Sequence, residues 1–172
     1  MNLDEKTLTA EYIYKGKILN LRKDKVELPN GREAVREIIE HSGGSAVYCE
    51  MDGKVLMVKQ FRYPYKKQIL EIPAGKLNPG ENPETTAIRE LEEEGGVRTK
   101  TVELIQTVYP STGYTEEIIY IYRAKDVVKT KTHLDLDEFL DSVWIDKQTL
   151  KEMVRKGEIN DAKTLIALLS EL

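Results

Sequence analysis

Gly75 to Val97 reads GKLNPGENPETTAIRELEEEGGV and puts four carboxylates, Glu90, Glu92, Glu93 and Glu94, close together. Like charges at helical spacing repel, so this crowding calls for compensation. Glu90 and Glu94 are four apart and Glu93 is three from Glu90, so they share one side of a helix. Such a set presents several oxygens to a hard divalent cation, Mg²⁺ or Mn²⁺. Asn82 is suited to cap this helix and Pro83 to open it, and Gly95-Gly96 is expected to end it. Ala87, Ile88 and Leu91 form an inward stripe, with Glu90 and Glu94 near its edge. On these residues alone, the chain reads as an enzyme that handles phosphates through a metal.

Outward from that stretch the sequence divides in two. From Thr9 to Glu40 it consists of short strand-like pieces separated by turns at Lys15-Gly16-Lys17 and Pro29-Asn30-Gly31. Three short strands make a small antiparallel sheet with little interior, which must pack on something larger or on another subunit. His41-Ser42-Gly43-Gly44 marks the boundary, so the expected domains are 1–42 and 43–172. In the second, Asp52-Gly53 between two apolar runs signals a hairpin. Strand patterns recur in VELIQTVYP, EEIIYIYRAKDVV and SVWID. Asp146 and Asp161 are placed to cap two C-terminal helices. Strands enclosing helices imply an α/β or α+β sandwich.

Composition permits this reading and excludes others. The 172 residues suit one domain with a small appendage, and 40% apolar with 33% charged residues describes a globular chain. A net charge of -4, from 26 basic and 30 acidic residues, gives no general field for nucleic acid. Cys49 is the single cysteine, which rules out an intrachain disulfide and suits a reducing compartment. No apolar run approaches the roughly 20 residues of a membrane span, and no signal segment is evident. A cytoplasmic location is expected, with no membrane and no nucleic acid among the partners.

Gly75, Glu81, Arg89, Glu90, Leu91, Glu93, Glu94, Gly96 and Val97 match the Nudix box at every position. The chain therefore resembles the Nudix hydrolases, which cleave a nucleoside diphosphate linked to a further group. The resemblance implies an α/β/α sandwich and makes Glu90, Glu94 and the backbone carbonyl of Ala74 metal ligands. Glu93 is then either a further ligand or the base on a shared water. Arg89 is expected to orient a neighbouring glutamate, and Glu81 either supports the loop or acts as an outer ligand.

Further stretches resemble the ADP-ribose pyrophosphatase branch: REIIEHSGGSAV from Arg36, QFRYP from Gln60, LEIPAG from Leu70 and NDAKTLIALL from Asn160. That branch exchanges its N-terminal sheet between two subunits, which implies a homodimer. By resemblance Arg62 clamps the diphosphate, Arg36 and Glu37 position the ribose or adenine end, and Glu117 contacts substrate or water. Glu138 matches a catalytic acidic loop, although Leu136 stands where a second acid is usual. Thr112 departs from the branch in the same way, replacing a frequent proline sixteen residues after Gly96. The implied reaction is hydrolysis of ADP-ribose to AMP and ribose 5-phosphate. A broader nucleoside diphosphate sugar pyrophosphatase is the alternative, and a non-catalytic nucleotide-binding module a more distant one.

Overall fold

The computed structural model describes residues 2–134 and 139–172. Their contacts separate two units, Met1–Gly43 with Tyr109–Ile118, and Gly44–Val108 with Ile119–Leu172.

The first unit is an antiparallel sheet in the order β1 (Lys6–Lys15), β2 (Leu19–Glu27) and β3 (Glu33–His41). Its strands are nine or ten residues long, longer than the short pieces expected. Both turns fall where glycine allows them. Gly16 donates its N–H to the Leu19 carbonyl at 3.0 Å, and Gly31, at φ +79°, donates to Leu28 at 2.8 Å. Every position of β1 is exposed, including Leu8, Tyr12, Ile13 and Tyr14. Polar contacts hold the sheet instead. Buried Asp24 accepts from Arg22, whose guanidinium also reaches Glu40, and Glu40 accepts from Asn20 and Tyr12. The 109–118 segment joins this unit through Ile39, whose N–H donates to the Tyr114 carbonyl at 2.7 Å.

The second unit explains itself by strand alternation. Its strands are β4 (Gly44–Tyr48), β5 (Glu50–Met51), β6 (Lys54–Arg62), β7 (Lys67–Glu71), β8 (Ala74–Lys76), β9 (Val97–Arg98), β10 (Thr101–Val108), β11 (Ile119–Lys125), β12 (Val128–Lys129) and β13 (Leu140–Asp146). The helices are α1 (Pro83–Glu93), α2 (Lys147–Arg155) and α3 (Ala162–Glu171). One sheet runs β10-β11-β4-β8 and another β13-β6-β5, with β7 also paired to β6. β12 pairs with β9. β11 and β4 are parallel, and the other ladders of this unit are antiparallel.

Successive residues of β4, β6 and β11 point to opposite faces. Ala46, Tyr48, Val55, Met57 and Ile121 pack with Leu150 of α2 and Ala167 and Leu168 of α3. Val47, Leu56 and Tyr122 pack with Ala87 and Leu91 of α1. Helices therefore cover both faces, which is the expected α/β/α sandwich. The Asp52-Gly53 hairpin forms between β5 and β6 with both residues at positive φ, +53° and +74°, as a tight primed turn requires. Asn82, Asp146 and Asp161 each cap a helix by accepting a backbone N–H, from Glu84, Gln148 and Thr164. No helix among the described residues is long and apolar enough to cross a membrane.

Candidate active site

The acidic helix lies against the segment that precedes it. The Ser45 hydroxyl donates to the Pro83 carbonyl at 2.7 Å, tying the first turn of α1 to β4. β8 lies on the other side of β4, pairing Ala74 with Ala46. The helix surface carrying Glu90 and Glu94 thereby faces Ala74 and Gly75. The Ala74 N–H donates to a Glu94 carboxylate oxygen at 2.8 Å. Gly75 leaves room for Glu90: a Cβ there would sit 1.9 Å from Glu90 Oε1, closer than side-chain atoms ever stand.

Glu90 and Glu94 were expected near the edge of the apolar stripe, but both are buried, at 8% and 2% exposure. An ionised carboxylate costs several kcal/mol to bury without compensation. For Glu90, Arg89 supplies much of it. Its Nη1 donates to Glu90 at 2.7 Å and Glu93 at 2.8 Å, and Nε and Nη2 grip Glu81 at 3.0 and 3.1 Å. Nη2 also reaches the Lys76 carbonyl at 3.3 Å. One guanidinium thus orients two helix carboxylates and fixes the loop before the helix, which fits the orienting role expected of Arg89. Glu81, gripped by Arg89 and accepting from the Asn78 N–H, is held down to about 2. Glu92 takes no part, since it turns outward to Arg98 at 2.6 Å.

The end of α1 is closed by the chain that leads toward the acidic loop. The His133 N–H donates to the Glu93 carbonyl at 2.9 Å, and the Thr130 N–H to Gly96 at 2.7 Å. The first satisfies a carbonyl that a helix terminus leaves without a partner, and the second holds the chain just beyond the cap. Glu138 lies outside the described residues.

Arg62 ends β6 and shares a face of the β6–β7 ribbon with Glu71 by strand alternation. Its Nε and Nη2 form a fork on Glu71 at 2.6 and 2.8 Å. Lys163 of α3 also contacts Glu71 and pairs with Asp161 at 3.0 Å. Burial pushes the Glu71 carboxyl up, but the Arg62 hydrogen bonds and Lys163 outweigh it and hold it below its ordinary value. Neither Glu71 nor Lys163 was picked out from the sequence. The available signal was a single acid inside the apolar run ILEIPAG.

The other expected contacts belong to the first unit. Arg36 forms a fork on Glu5 at 2.5 and 2.9 Å, while neighbouring Glu37 points to the opposite, exposed side of β3. Glu117 lies 3.5 Å from His41 Nδ1. That nitrogen accepts the Gly43 N–H at 3.1 Å, so it carries no proton of its own to give Glu117.

Among the described residues no three His, Cys, Asp or Glu side chains form a ready coordination group. The donor chemistry nevertheless suits a hard divalent ion: two buried carboxylates on successive helical turns, beside the backbone of Ala74 and Gly75. In this geometry it is the Ala74 amide, rather than its carbonyl, that meets Glu94.

Comparison with known proteins accords with this arrangement. Residues 40–168 match the NUDIX domain model, and residues 5–39 match the nucleoside diphosphate sugar hydrolase N-terminal domain. The ADP-ribose pyrophosphatase of Bacillus subtilis (strain 168) is 44% identical over 170 residues, spanning 97% of this chain and 92% of that protein. The methanol dehydrogenase activator of Bacillus methanolicus is 42% identical over 168 residues, 96% of this chain and 91% of that protein. A solved structure described as an ADP compounds hydrolase superposes with a TM-score of 0.86, covering 99% of this chain and 94% of its own at 19% identity, a likeness of fold. With a family model over three quarters of its length and Glu90, Glu93 and Glu94 gathered at the C-terminal end of α1, the chain belongs to the Nudix hydrolase family.

Proposed function

We propose that this chain hydrolyses the diphosphate of ADP-ribose to AMP and ribose 5-phosphate, in the cytoplasm, using Mg²⁺ or Mn²⁺. The observation that carries the reading is the pair of buried carboxylates facing Ala74, Glu90 held by Arg89 and Glu94 by the Ala74 N–H. Glu90, Glu94 and the Ala74 carbonyl are the residues to hold the ion. When bound there, a divalent ion offsets the diphosphate charge and lowers the pKa of a bound water.

The chain's own groups do the rest. Arg89 keeps Glu90 and Glu93 in register, so that ligand and base are oriented before substrate arrives. Glu93, the half-exposed member of the set, takes the proton from the attacking water. Glu138 assists it from the acidic loop. Arg62 binds the diphosphate, a task suited to a guanidinium. Arg36 and Glu37 position the ribose or adenine end, and Glu117 contacts substrate or water.

The same reading takes residues 1–42 as a dimerisation and substrate-contact domain and 43–172 as the hydrolase domain. A sheet whose first strand is exposed on both faces buries too little to stand alone. A second copy of this chain is the natural cover, giving a homodimer with exchanged sheets. The N-terminal match to nucleoside diphosphate sugar hydrolases favours a second reading, a pyrophosphatase of broader range.

The test is steady-state hydrolysis of ADP-ribose beside ADP-glucose and GDP-mannose at fixed Mg²⁺, with products identified. A kcat/KM for ADP-ribose at least tenfold above the others, about 1.4 kcal/mol of discrimination, is expected. Comparable values across the sugars would replace the reading with the broader one. Turnover that survives a chelator would sink both.

A further inference from the structure

We propose that Glu71 and Lys163 are positioning residues for substrate binding, acting through Arg62. The proposal rests on the reading of Arg62 as the diphosphate clamp. Glu71 is only 3% exposed at its side chain, whereas Arg62 is 38% exposed, so the pair runs from the interior to the surface. The fork on Glu71 uses Nε and Nη2, which leaves Nη1 outside that fork. A guanidinium gripped along one edge has its remaining donor direction fixed before an anion arrives. It therefore loses little freedom on binding.

Lys163 gives this grip its strength of charge. Glu71 lies between two cations that together hold it ionised, so Arg62 is not its sole counter-charge and can turn part of its charge to a second anion. Lys163 is in turn only 11% exposed and is held by Asp161 at 3.0 Å. Asp161 Oδ2 accepts from the Thr164 hydroxyl at 2.6 Å, and that hydroxyl accepts the Ile72 N–H at 2.9 Å. Ile72 follows Glu71 directly, so the ring closes on the segment where it began. Two residues later Ala74 donates to Glu94. The start of α3 thus sets one backbone segment that carries Arg62's anchor at one end and a carboxylate contact at the other. This gives Asp161 and Lys163 a role beyond the cap of α3.

The experiment measures ADP-ribose kinetics at saturating Mg²⁺, with melting temperatures, for Glu71→Gln, Lys163→Met, Arg62→Met and the double variant Arg62→Met/Glu71→Gln. Glu71→Gln keeps the shape of the side chain and is the variant to rely on if Lys163→Met is too unstable to purify. Glu71→Gln is expected to raise KM about tenfold, equivalent to about 1.4 kcal/mol, with kcat within about twofold of wild type. The double variant is expected to cost no more than Arg62→Met alone, because Glu71 acts only through Arg62. A wild-type KM in Glu71→Gln with a lowered melting temperature would overturn the proposal and make the cluster purely structural. Multiplying effects in the double variant would overturn it too. If Arg62→Met itself leaves KM unchanged, the clamp reading fails and takes the proposal with it. Silence in Glu71→Gln alone leaves the clamp standing and removes only the positioning role.

Discussion

Arg89 and Glu81 show how an acidic site is kept folded. The helix gathers like charges, and Arg89 answers with donors to three carboxylates at once. Exposed ion pairs are worth little, about 0–1 kcal/mol, but Glu81 is 13% exposed at its side chain and gripped bidentately, so its charge is well shielded from water. The Arg89 hydrogen bonds dominate over burial and hold the Glu81 carboxyl at about 2, below its ordinary 4.5. A depressed folded value means that the stability this pair contributes is complete above about pH 4.5 and is lost as pH falls toward about 2. Glu81→Gln is therefore predicted to flatten the acid arm of the stability curve within that window. Urea midpoints measured from pH 5 downward check this. An unchanged pH dependence in the variant would mean that the grip contributes nothing in solution.

At the scale of elements, what could be read in advance divides by range. Caps and turns are local, and Asn82, Asp146, Asp161 and Asp52-Gly53 behave as their residue types dictate. The stripe of Ala87 and Leu91 is also local, set by helical period. The depth of Glu90 and Glu94 was not legible, because it depends on β8 closing over them and on Gly75 making room. Nor was the cluster at Glu71, whose second cation lies ninety-two residues further along the chain. The clamp assigned to Arg62 came from resemblance, and the fork on Glu71 that anchors it became visible only in three dimensions. Strand length was misjudged in the N-terminal sheet, where β1 continues through bulges at Thr7/Thr9 and Tyr12/Tyr14. The breaks expected at Lys15-Gly16-Lys17 and Pro29-Asn30-Gly31 are the turns between the three strands.

At the scale of the whole molecule, the two units differ in how they are stabilised. The second buries both faces of β4, β6 and β11 under helices, and its lone Cys49 is sealed inside, burial pushing the thiol up to about 12. A buried thiol with a raised pKa carries little thiolate near neutral pH, so Cys49 is a packing residue of this core. The first unit leaves Tyr12, Ile13, Tyr14, Ile18 and Val35 exposed, a set that a second copy would cover. Light scattering is predicted to give twice the mass of one chain, and replacing Ile13 and Tyr14 by lysine to shift it toward the monomer. A wild-type chain that is monomeric at micromolar concentration would end the exchanged-dimer reading.

The central claim is that Glu90 and Glu94 hold a divalent ion that drives hydrolysis. The direct measurement is the turnover of ADP-ribose by purified Glu94→Gln at saturating Mg²⁺, with circular dichroism matched to wild type. This substitution removes one charge while nearly conserving volume. Metal stabilisation of a transition state is worth several kcal/mol, at about 1.4 kcal/mol per tenfold, so kcat should fall by on the order of a hundredfold or more. Near-normal turnover by a folded Glu94→Gln would contradict the assignment and move the metal, and the chemistry, elsewhere in the chain.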